Sequence, residues 1–376
     1  MKTISILGST GSIGRQSLEI VQKYPDRYKI SGLTCHSQIE LLRQQIALFS
    51  PNEVAVFDHE KADGLRTLVD IPVHSGIEGL KKIAGLSEVD IVMNALVGSI
   101  GIVPTLHAIE KGKTIALANK ESLVSAGKLI MEKAQKKDVQ ILPVDSEHSG
   151  VFQCVKGHKI DDVKTITLTC SGGPFKDLPH EQFSSITKEN ALRHPVWKMG
   201  EKISVDSATL MNKGFEIIEA HWLYGLPVDD IHVVVHPQSI VHSFVEFRDG
   251  SVLAQLAIPD MRLPIQYALS YPERIPSPHQ SLNIATMSLS FEVPDHEKFP
   301  CLPLAYKMGK RGGTLPAVMN AANEGAVKRF LDGTIKFTDI HPLIKRSIET
   351  HQIIENPSVD DILEIDMNVK KEMELL

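Results

Sequence analysis

The sequence predicts an α/β fold: an N-terminal Rossmann-like doubly wound parallel sheet, a central α+β catalytic domain and a small C-terminal helical domain. Three observations predict it. Short β-rich runs alternate with helical stretches through the first part of the chain, which is the rhythm of a parallel sheet. A glycine turn follows the first of those strands and opens the first helix. Six prolines between Tyr271 and Pro303, at 272, 276, 278, 294, 300 and 303, then break regular structure ahead of a purely helical tail.

The first run of elements is Ile4 to Leu7, Gly14 to Lys23, Ile30 to Thr34, Glu40 to Phe49 and Val54 to Phe57. It continues through Asp90 to Leu96, Pro104 to Lys111, Thr114 to Ala118, Ser125 to Lys136 and Gln140 to Pro143, so the doubly wound region is expected to end near Asp145. Beyond it come a strand from Lys164 to Thr169, a polar loop, and strands at Val233 to Val235, Ile240 to Arg248 and Val252 to Ile258. Phe247, Asp249 and Gly250 stand where a hairpin turn belongs, which predicts antiparallel pairing. Helices are expected at Leu304 to Lys310, Leu315 to Asp332, Thr338 to Thr350 and Ser358 to Leu376. The expected domains are therefore 1–145, 146–270 and 304–376, with 271–303 as a linker.

With 376 residues, 42% hydrophobic and 23% charged, the chain has the profile of a globular protein of two or three domains. A formal net charge of -6 gives no general attraction to nucleic acid, so any anion site has to be local. Cys35, Cys154, Cys170 and Cys301 are scattered, with no paired spacing, which suits free thiols. Because Thr3 to Leu7 already reads as a strand, a secretory leader is not expected, and no apolar run reaches the length of a membrane helix. The expected location is the cytoplasm.

Several runs carry chemistry. Gly8-Ser9-Thr10-Gly11-Ser12-Ile13-Gly14 lets a backbone approach a pyrophosphate and turns helix N-terminal amides toward it. The tip of the second strand reads Cys35-His36-Ser37-Gln38; without a carboxylate there, a 2′-phosphate is acceptable and NADP is favoured over NAD. Asp145-Ser146-Glu147, read as an extended segment, would project two hard carboxylates to one side and suit Mg²⁺ or Mn²⁺. A solvated acidic turn is the blander account of those three residues.

The run Ser204 to Glu216 is dense in anion and metal binders, with Glu216 able to complete a three-carboxylate site, although an N-capped helix needs similar residues. Ser171-Gly172-Gly173-Pro174 can present amides and a hydroxyl to a phosphate, or be a plain turn. His194 to Gly200 combines His, Trp and Met in a polar stretch and reads equally as a lid or as a loop anchored by its Trp. His236, Ser239 and His242 lie around one strand, where a histidine is more often structural.

Together these motifs resemble the 1-deoxy-D-xylulose 5-phosphate reductoisomerase family. The resemblance extends over Ala118-Asn119-Lys120-Glu121-Ser122-Leu123, Pro143 to His148, Ser171 to Phe175, His194 to Gly200, Lys202 to Glu216, His236 to Ser239 and Pro259 to Arg262, all in family order. It implies carbon migration in a sugar phosphate followed by NADPH-dependent aldehyde reduction, with a divalent metal, in non-mevalonate isoprenoid synthesis. It further implies that Thr10, Gly11, Ser12 and Ile13 hold the pyrophosphate, that Asn119, Lys120, Glu121 and Gly200 lie by the cofactor, and that Asp145, Glu147 and Glu216 ligate the metal. Ser171, Ser207, Asn212 and Lys213 would hold the substrate phosphate. Ser146, His194, Ser239 and His242 would surround the rest of the substrate, with Trp197 and Met199 on the lid and Lys120, Glu147 and His194 nearest the chemistry. The family suggests a homodimer. The chain departs from the family at His36-Ser37-Gln38, where a Gly, a basic residue and Asn are usual, so the 2′-phosphate meets no cation from those positions. A simple dehydrogenase of a phosphorylated or acidic aldehyde, such as homoserine or aspartate-semialdehyde dehydrogenase, is the competing expectation; a cofactor-sensing protein without turnover is a third.

Overall fold

The computed structural model describes residues 1–197, 199–277 and 281–375. Lys198 of the expected lid, 278–280 of the expected linker and Leu376 at the expected end of the last helix lie outside the described residues.

The chain divides into two compact units. The first comprises Met1–Ser122, Lys128–Ser149 and Asp260–Pro278; the second comprises Leu123–Gly127, Gly150–Pro259 and His279–Leu376. The division differs from the expected ranges. Residues 260–270, expected within the second domain, belong to the first unit, where they form a helix, Arg262–Ser270, that packs on the first helix of the chain.

In chain order the first unit begins β1 (Lys2–Leu7), α1 (Ser12–Lys23), β2 (Tyr28–Cys35), α2 (Ile39–Phe49), β3 (Glu53–Val56), α3 (His59–Arg66), β4 (Val73–Ser75) and α4 (Gly76–Ala84). It continues with β5 (Ile91–Asn94), α5 (Ile102–Glu110), β6 (Thr114–Leu117), the two ends of α6 (Lys120–Lys136), β7 (Ile141–Pro143) and the start of α7 (Ser146–Val155). The seven strands form one parallel sheet in the order β4-β3-β2-β1-β5-β6-β7. Strand order reverses beside β1, and that is where open α/β sheets bind ligands, outside the carboxyl ends of the strands. The expected elements are all present, and α3, β4 and α4 add to them between Phe57 and Asp90. The pattern there is weak because β4 has only three residues and α3 (HEKADGLR) buries only Ala62 and Leu65.

The second unit holds β8 (Val163–Cys170), α8 (Lys188–Ala191), α9 (Glu201–Ala208), α10 (Met211–Tyr224), β9 (Ile231–Val235), β10 (Val241–Phe247) and β11 (Val252–Leu256). Helix α11 (Arg262–Ser270) is the one belonging to the first unit. The tail carries α12 (Cys301–Arg311), α13 (Leu315–Leu331), α14 (Ile340–Thr350) and α15 (Val359–Leu375). Two expectations need correcting. The second sheet, ordered β11-β10-β8-β9, is mixed: β10 pairs antiparallel with β8 and β11, but β8 and β9 run parallel. The connection from β8 to β9 passes through helices, which is what a parallel pair needs.

The segment read as a polar loop also contains α8, α9 and α10. Its polar residues are compatible with helix because they find partners: Ser204 Oγ donates to the carbonyl of Gly200, and Asp206 accepts from Asn323 at 2.7 Å and pairs with Lys202 at 2.9 Å. The proline-rich stretch gives way to α12 at Cys301, three residues before the expected domain start. The hairpin turn is as expected, with Gly250 at φ +87° and the Phe247 amide bonded to the Ser251 carbonyl at 2.8 Å.

Helix α10 carries the candidate site and packs against α12 through Gly214. A Cβ on Gly214 would sit 2.4 Å from the Ala305 Cβ. In an exposed helix Gly→Ala stabilises by about 1 kcal/mol. Gly214→Ala is expected to reverse that sign and destabilise by about 1–3 kcal/mol through overpacking, read as the change in denaturation midpoint.

Candidate active site

The glycine turn is built by two close approaches. Gly8 has φ +83°, and a Cβ there would lie 2.6 Å from the Ala95 carbonyl oxygen; a Cβ on Gly14 would lie 2.3 Å from the Gly8 carbonyl oxygen. No side chain larger than hydrogen fits either place. Gly11 occupies the N-cap of α1 and no side chain caps that helix end, so the first amides of α1 are available to an anion. Gly11 and Ser12 are exposed and Thr10 and Ile13 half-buried.

Gln45 went unnoticed in the sequence. It lies on the buried face of α2, accepts from Ser9 Oγ at 2.7 Å and donates to the Ser9 carbonyl at 2.9 Å, fixing the turn. A polar residue on an otherwise apolar helix face was the available signal.

His36, Ser37 and Gln38 follow β2, the neighbour of β1. The His36 ring lies 5.4 Å from that of Phe57, and Ser37 is half-buried. Asn119 caps α6: its Oδ1 accepts from the Ser122 amide at 3.1 Å, and its Nδ2 donates to the carbonyls of Leu96 and Gly98, each at 3.0 Å, and to Glu121 at 2.9 Å. Both amide protons are thus used inside the fold. Lys120 is buried and its ammonium lies 2.6 Å from Asp145 Oδ2.

Asp145-Ser146-Glu147 is not extended. Asp145 stands at the start of α7, where its Oδ1 accepts from the Glu147 amide at 3.1 Å. An aspartate before a helix is drawn into capping, which satisfies amides that have no partner in the helix. Glu147 therefore occupies the first turn, where Ser146 Oγ donates to it at 2.5 Å. The two carboxylates remain neighbours, but the helix start positions them rather than strand alternation.

The second unit gathers the expected phosphate binders. Gly172 and Gly173 have φ of +86° and +71°, and a Cβ on Gly173 would sit 2.7 Å from the Ser207 carbonyl oxygen. This brings the turn after β8 against the end of α9. Two residues on, Leu210 adopts φ +59° and α10 begins, carrying Asn212, Lys213 and Glu216. Lys213 and Glu216 are an ion pair, 3% and 1% exposed, and Asn212 Nδ2 donates to the other Glu216 oxygen at 2.6 Å.

Ser171 is oriented by His194. The amides of Val196 and Trp197 donate to His194 Nδ1 at 3.2 and 2.9 Å, so the ring proton resides on Nε2 and is donated to Ser171 Oγ at 3.0 Å. The Gly173 amide donates to the same hydroxyl oxygen at 3.2 Å. Ser171 thus receives two hydrogen bonds and keeps its own proton to give to an acceptor in front of it. Burial pushes the His194 imidazole down to about 4, which keeps it neutral and makes it an orienting donor rather than an acid at neutral pH.

Trp197 and Met199 are half-buried, and the Trp197 ring lies 6.4 Å from that of His242, which is buried on β10. Gly200 is the N-cap of α9. Ser239 sits at φ +51° in the turn before β10. His236 is structural: it is fully buried, bonded to the Ser290 carbonyl at 2.9 Å and to the Ile240 amide at 3.1 Å, and stacked on Phe291.

A parallel sheet with this strand order and a glycine turn opening its first helix defines the class of dinucleotide-binding oxidoreductases. Comparison with known proteins narrows the class. Sequence profiles of the 1-deoxy-D-xylulose 5-phosphate reductoisomerase match residues 4–127, and those of its C-terminal domains match 141–224 and 256–372. The chain is 49% identical over 374 residues to the reductoisomerase of Thermodesulfovibrio yellowstonii and 50% identical over 375 residues to that of a Geobacillus species, in each case over 99% of this chain and 98% of the relative. Among solved structures it resembles the Zymomonas mobilis enzyme in complex with NADPH, with a TM-score of 0.92, and a DOX-P reductoisomerase in complex with NADPH, fosmidomycin and magnesium, with a TM-score of 0.95. Both are 40% identical and cover 100% of this chain and 98% of the other. The chain belongs to the 1-deoxy-D-xylulose 5-phosphate reductoisomerase family.

The neutral His194 carries a pH signature. Unfolded, its imidazole protonates near 6.5; folded, near 4, so between those values the unfolded chain binds the extra proton and stability falls as pH falls. His194→Gln removes this dependence. The variant is expected to lose less melting temperature than the wild type between about pH 7 and about pH 4.5. Equal losses would contradict the buried neutral imidazole.

Proposed function

We propose that this chain converts 1-deoxy-D-xylulose 5-phosphate to 2-C-methyl-D-erythritol 4-phosphate with NADPH and Mg²⁺ or Mn²⁺, in the non-mevalonate route to isoprenoid precursors. Beside family membership, the observation that carries this reading is the Ser171 hydroxyl. Two donors occupy its oxygen, which leaves its proton to give, and the Gly173 approach sets the same turn against Ser207 at the end of α9. Such a cluster of donors fits a phosphate dianion.

The residues divide the work. The amides at Thr10, Gly11, Ser12 and Ile13 hold the cofactor pyrophosphate, and His36, Ser37 and Gln38 meet the adenosine end with side-chain donors. Asn119 shapes the start of α6 beside Glu121. Asp145, Glu147 and Glu216 offer only hard carboxylate oxygens, which fit Mg²⁺ or Mn²⁺ and not a thiophilic ion. When bound, the ion supplies Lewis acidity to the substrate's carbonyl and hydroxyl oxygens and NADPH supplies the hydride.

Ser171, Ser207, Asn212 and Lys213 bind the phosphate, and that remote binding supplies energy to orient the reacting carbons. Trp197 and Met199 close over the substrate and exclude water, with His242 behind them and Ser239 and Ser146 at its hydroxyls. Lys120 places a positive charge at Asp145.

Two finer statements belong to the same proposal. The protein works as a homodimer: edge strand β11 exposes Val252 and Leu253 at 54% and 41%, and Phe291 packs edge-on to Phe244 while 43% exposed, an apolar surface that a second copy would cover. It works in the cytoplasm, in keeping with four free buried cysteines. Among the described residues no helix is long and apolar enough to cross a membrane.

The test is product analysis of a reaction containing 1-deoxy-D-xylulose 5-phosphate, NADPH and Mn²⁺. Formation of 2-C-methyl-D-erythritol 4-phosphate is expected, abolished by excess chelator and restored by Mg²⁺ or Mn²⁺. Full NADPH oxidation in excess chelator would instead mark a metal-independent dehydrogenase.

A further inference from the structure

Three glycines in the seven residues from Gly8 to Gly14 give the turn little stiffness of its own, because glycine enters backbone conformations closed to other residues. Other groups have to impose the one conformation seen, and Ser9 is where they act. It is fully buried, its amide donates to the Thr34 carbonyl at 2.8 Å, and the Gly8 amide donates to Thr34 Oγ1 at 2.9 Å, which ties the start of the turn to β2. Ser9 also lies under α1: a Cβ on Gly14 would stand 2.5 Å from the Ser9 Cα. The first turn of α1 thus rests on the Ser9 backbone, and the direction of its amides follows from where Ser9 is held.

Gln45 holds it from α2. Leu42 and Gln45 are the buried residues of that helix, a spacing of three at which burial alone calls for a second apolar side chain. A buried amide has to be matched, and Ser9 matches both ends: Gln45 Oε1 accepts from Ser9 Oγ at 2.7 Å, and Nε2 donates to the Ser9 carbonyl at 2.9 Å. Because that carbonyl can only accept, the side-chain amide has one orientation. Two opposed bonds fix the rotation of the Ser9 peptide as well as its position. Apolar packing, which is non-directional, does not.

We propose that Gln45 is a positioning residue for the dinucleotide: acting through Ser9 rather than by contact, it presets the α1 amides for the pyrophosphate and so sets cofactor affinity. The proposal rests on the assignment of the glycine turn to the cofactor pyrophosphate. A turn already held in its binding conformation carries no ordering cost, whereas a turn released from Gln45 has to be ordered at each binding event. The pyrophosphate is common to NADPH and NADH, so loss of Gln45 weakens both by the same factor. A group acting at the 2′-phosphate would affect NADPH alone.

The experiment measures NADPH and NADH dissociation constants of the full-length protein by nicotinamide fluorescence, beside steady-state kinetics and melting curves. Gln45→Met keeps the length of the side chain and removes both bonds. It is expected to raise both dissociation constants on the order of tenfold. kcat at saturating NADPH and KM for 1-deoxy-D-xylulose 5-phosphate are expected to stay at their wild-type values. Gly11→Asp is the control for the turn: Gly11 has φ -75° and room for a Cβ, and a carboxylate there caps α1 while repelling a pyrophosphate. Unchanged binding in Gln45→Met beside weakened binding in Gly11→Asp overturns the role of Gln45 and spares the turn. Unchanged binding in both overturns the turn assignment and the proposal with it. A loss confined to NADPH, or an equal rise in KM for the sugar phosphate, also overturns the proposal. Should Gln45→Met fail to fold, Ser9→Ala, which removes one of the two bonds, decides by the same comparison: a smaller but equal loss for both cofactors supports the role, and no loss overturns it.

Discussion

A carboxylate withdrawn from water has to be matched by donors or by a cation, and this one constraint organises the chemistry of both units. Three answers to it occur in this chain. Asp145 is met on one oxygen by an amide at the start of α7 and on the other by Lys120. Asp206 is met by Lys202 and by the side-chain amide of Asn323. Glu216 is met from the first turn of its own helix by Asn212 and Lys213.

The same logic explains why neutral groups stand where charges might be expected. His194 is kept neutral by burial and by two amides that demand a lone pair on Nδ1, and the consequence is a Ser171 hydroxyl with only one direction left for its proton. At the end of β2, His36, Ser37 and Gln38 meet solvent without a carboxylate, so a 2′-phosphate meets no repulsion from them. Fixed donors in a partly buried setting bind an anion with little reorganisation when it arrives.

The parts of the fold that follow from local requirements were legible in the sequence. Gly8 and Gly14 are demanded by a positive φ and by sub-contact approaches, so the glycine turn announces both the first strand and the first helix. The parts that depend on distant partners were not legible. The polar run at Ser204 to Glu216 reads as ligand-binding loop or capped helix alike until Asn323, from α13, is seen to satisfy Asp206. Gln45 reads as an imperfection of α2 until Ser9 is seen to need it. Asp145 and Glu147 were legible as ligand types but not as geometry, because a two-residue spacing is shared by a strand face and by a capped helix start, and only the amide of Glu147 decides between them. The parallel pairing of β8 with β9 depends on the intervening helices, which hydrophobic pattern alone did not reveal.

The central claim is that Asp145, Glu147 and Glu216 hold one divalent cation, and direct metal binding tests it without any need for turnover. Mn²⁺ titrations of Asp145→Asn, Glu147→Gln and Glu216→Gln, each paired with a melting curve, separate ligation from folding. Asparagine can still cap α7, so even the first change leaves the helix start supported. The account predicts that each variant loses more than about tenfold in Mn²⁺ affinity while remaining folded. Wild-type affinity in any one of the three would contradict it.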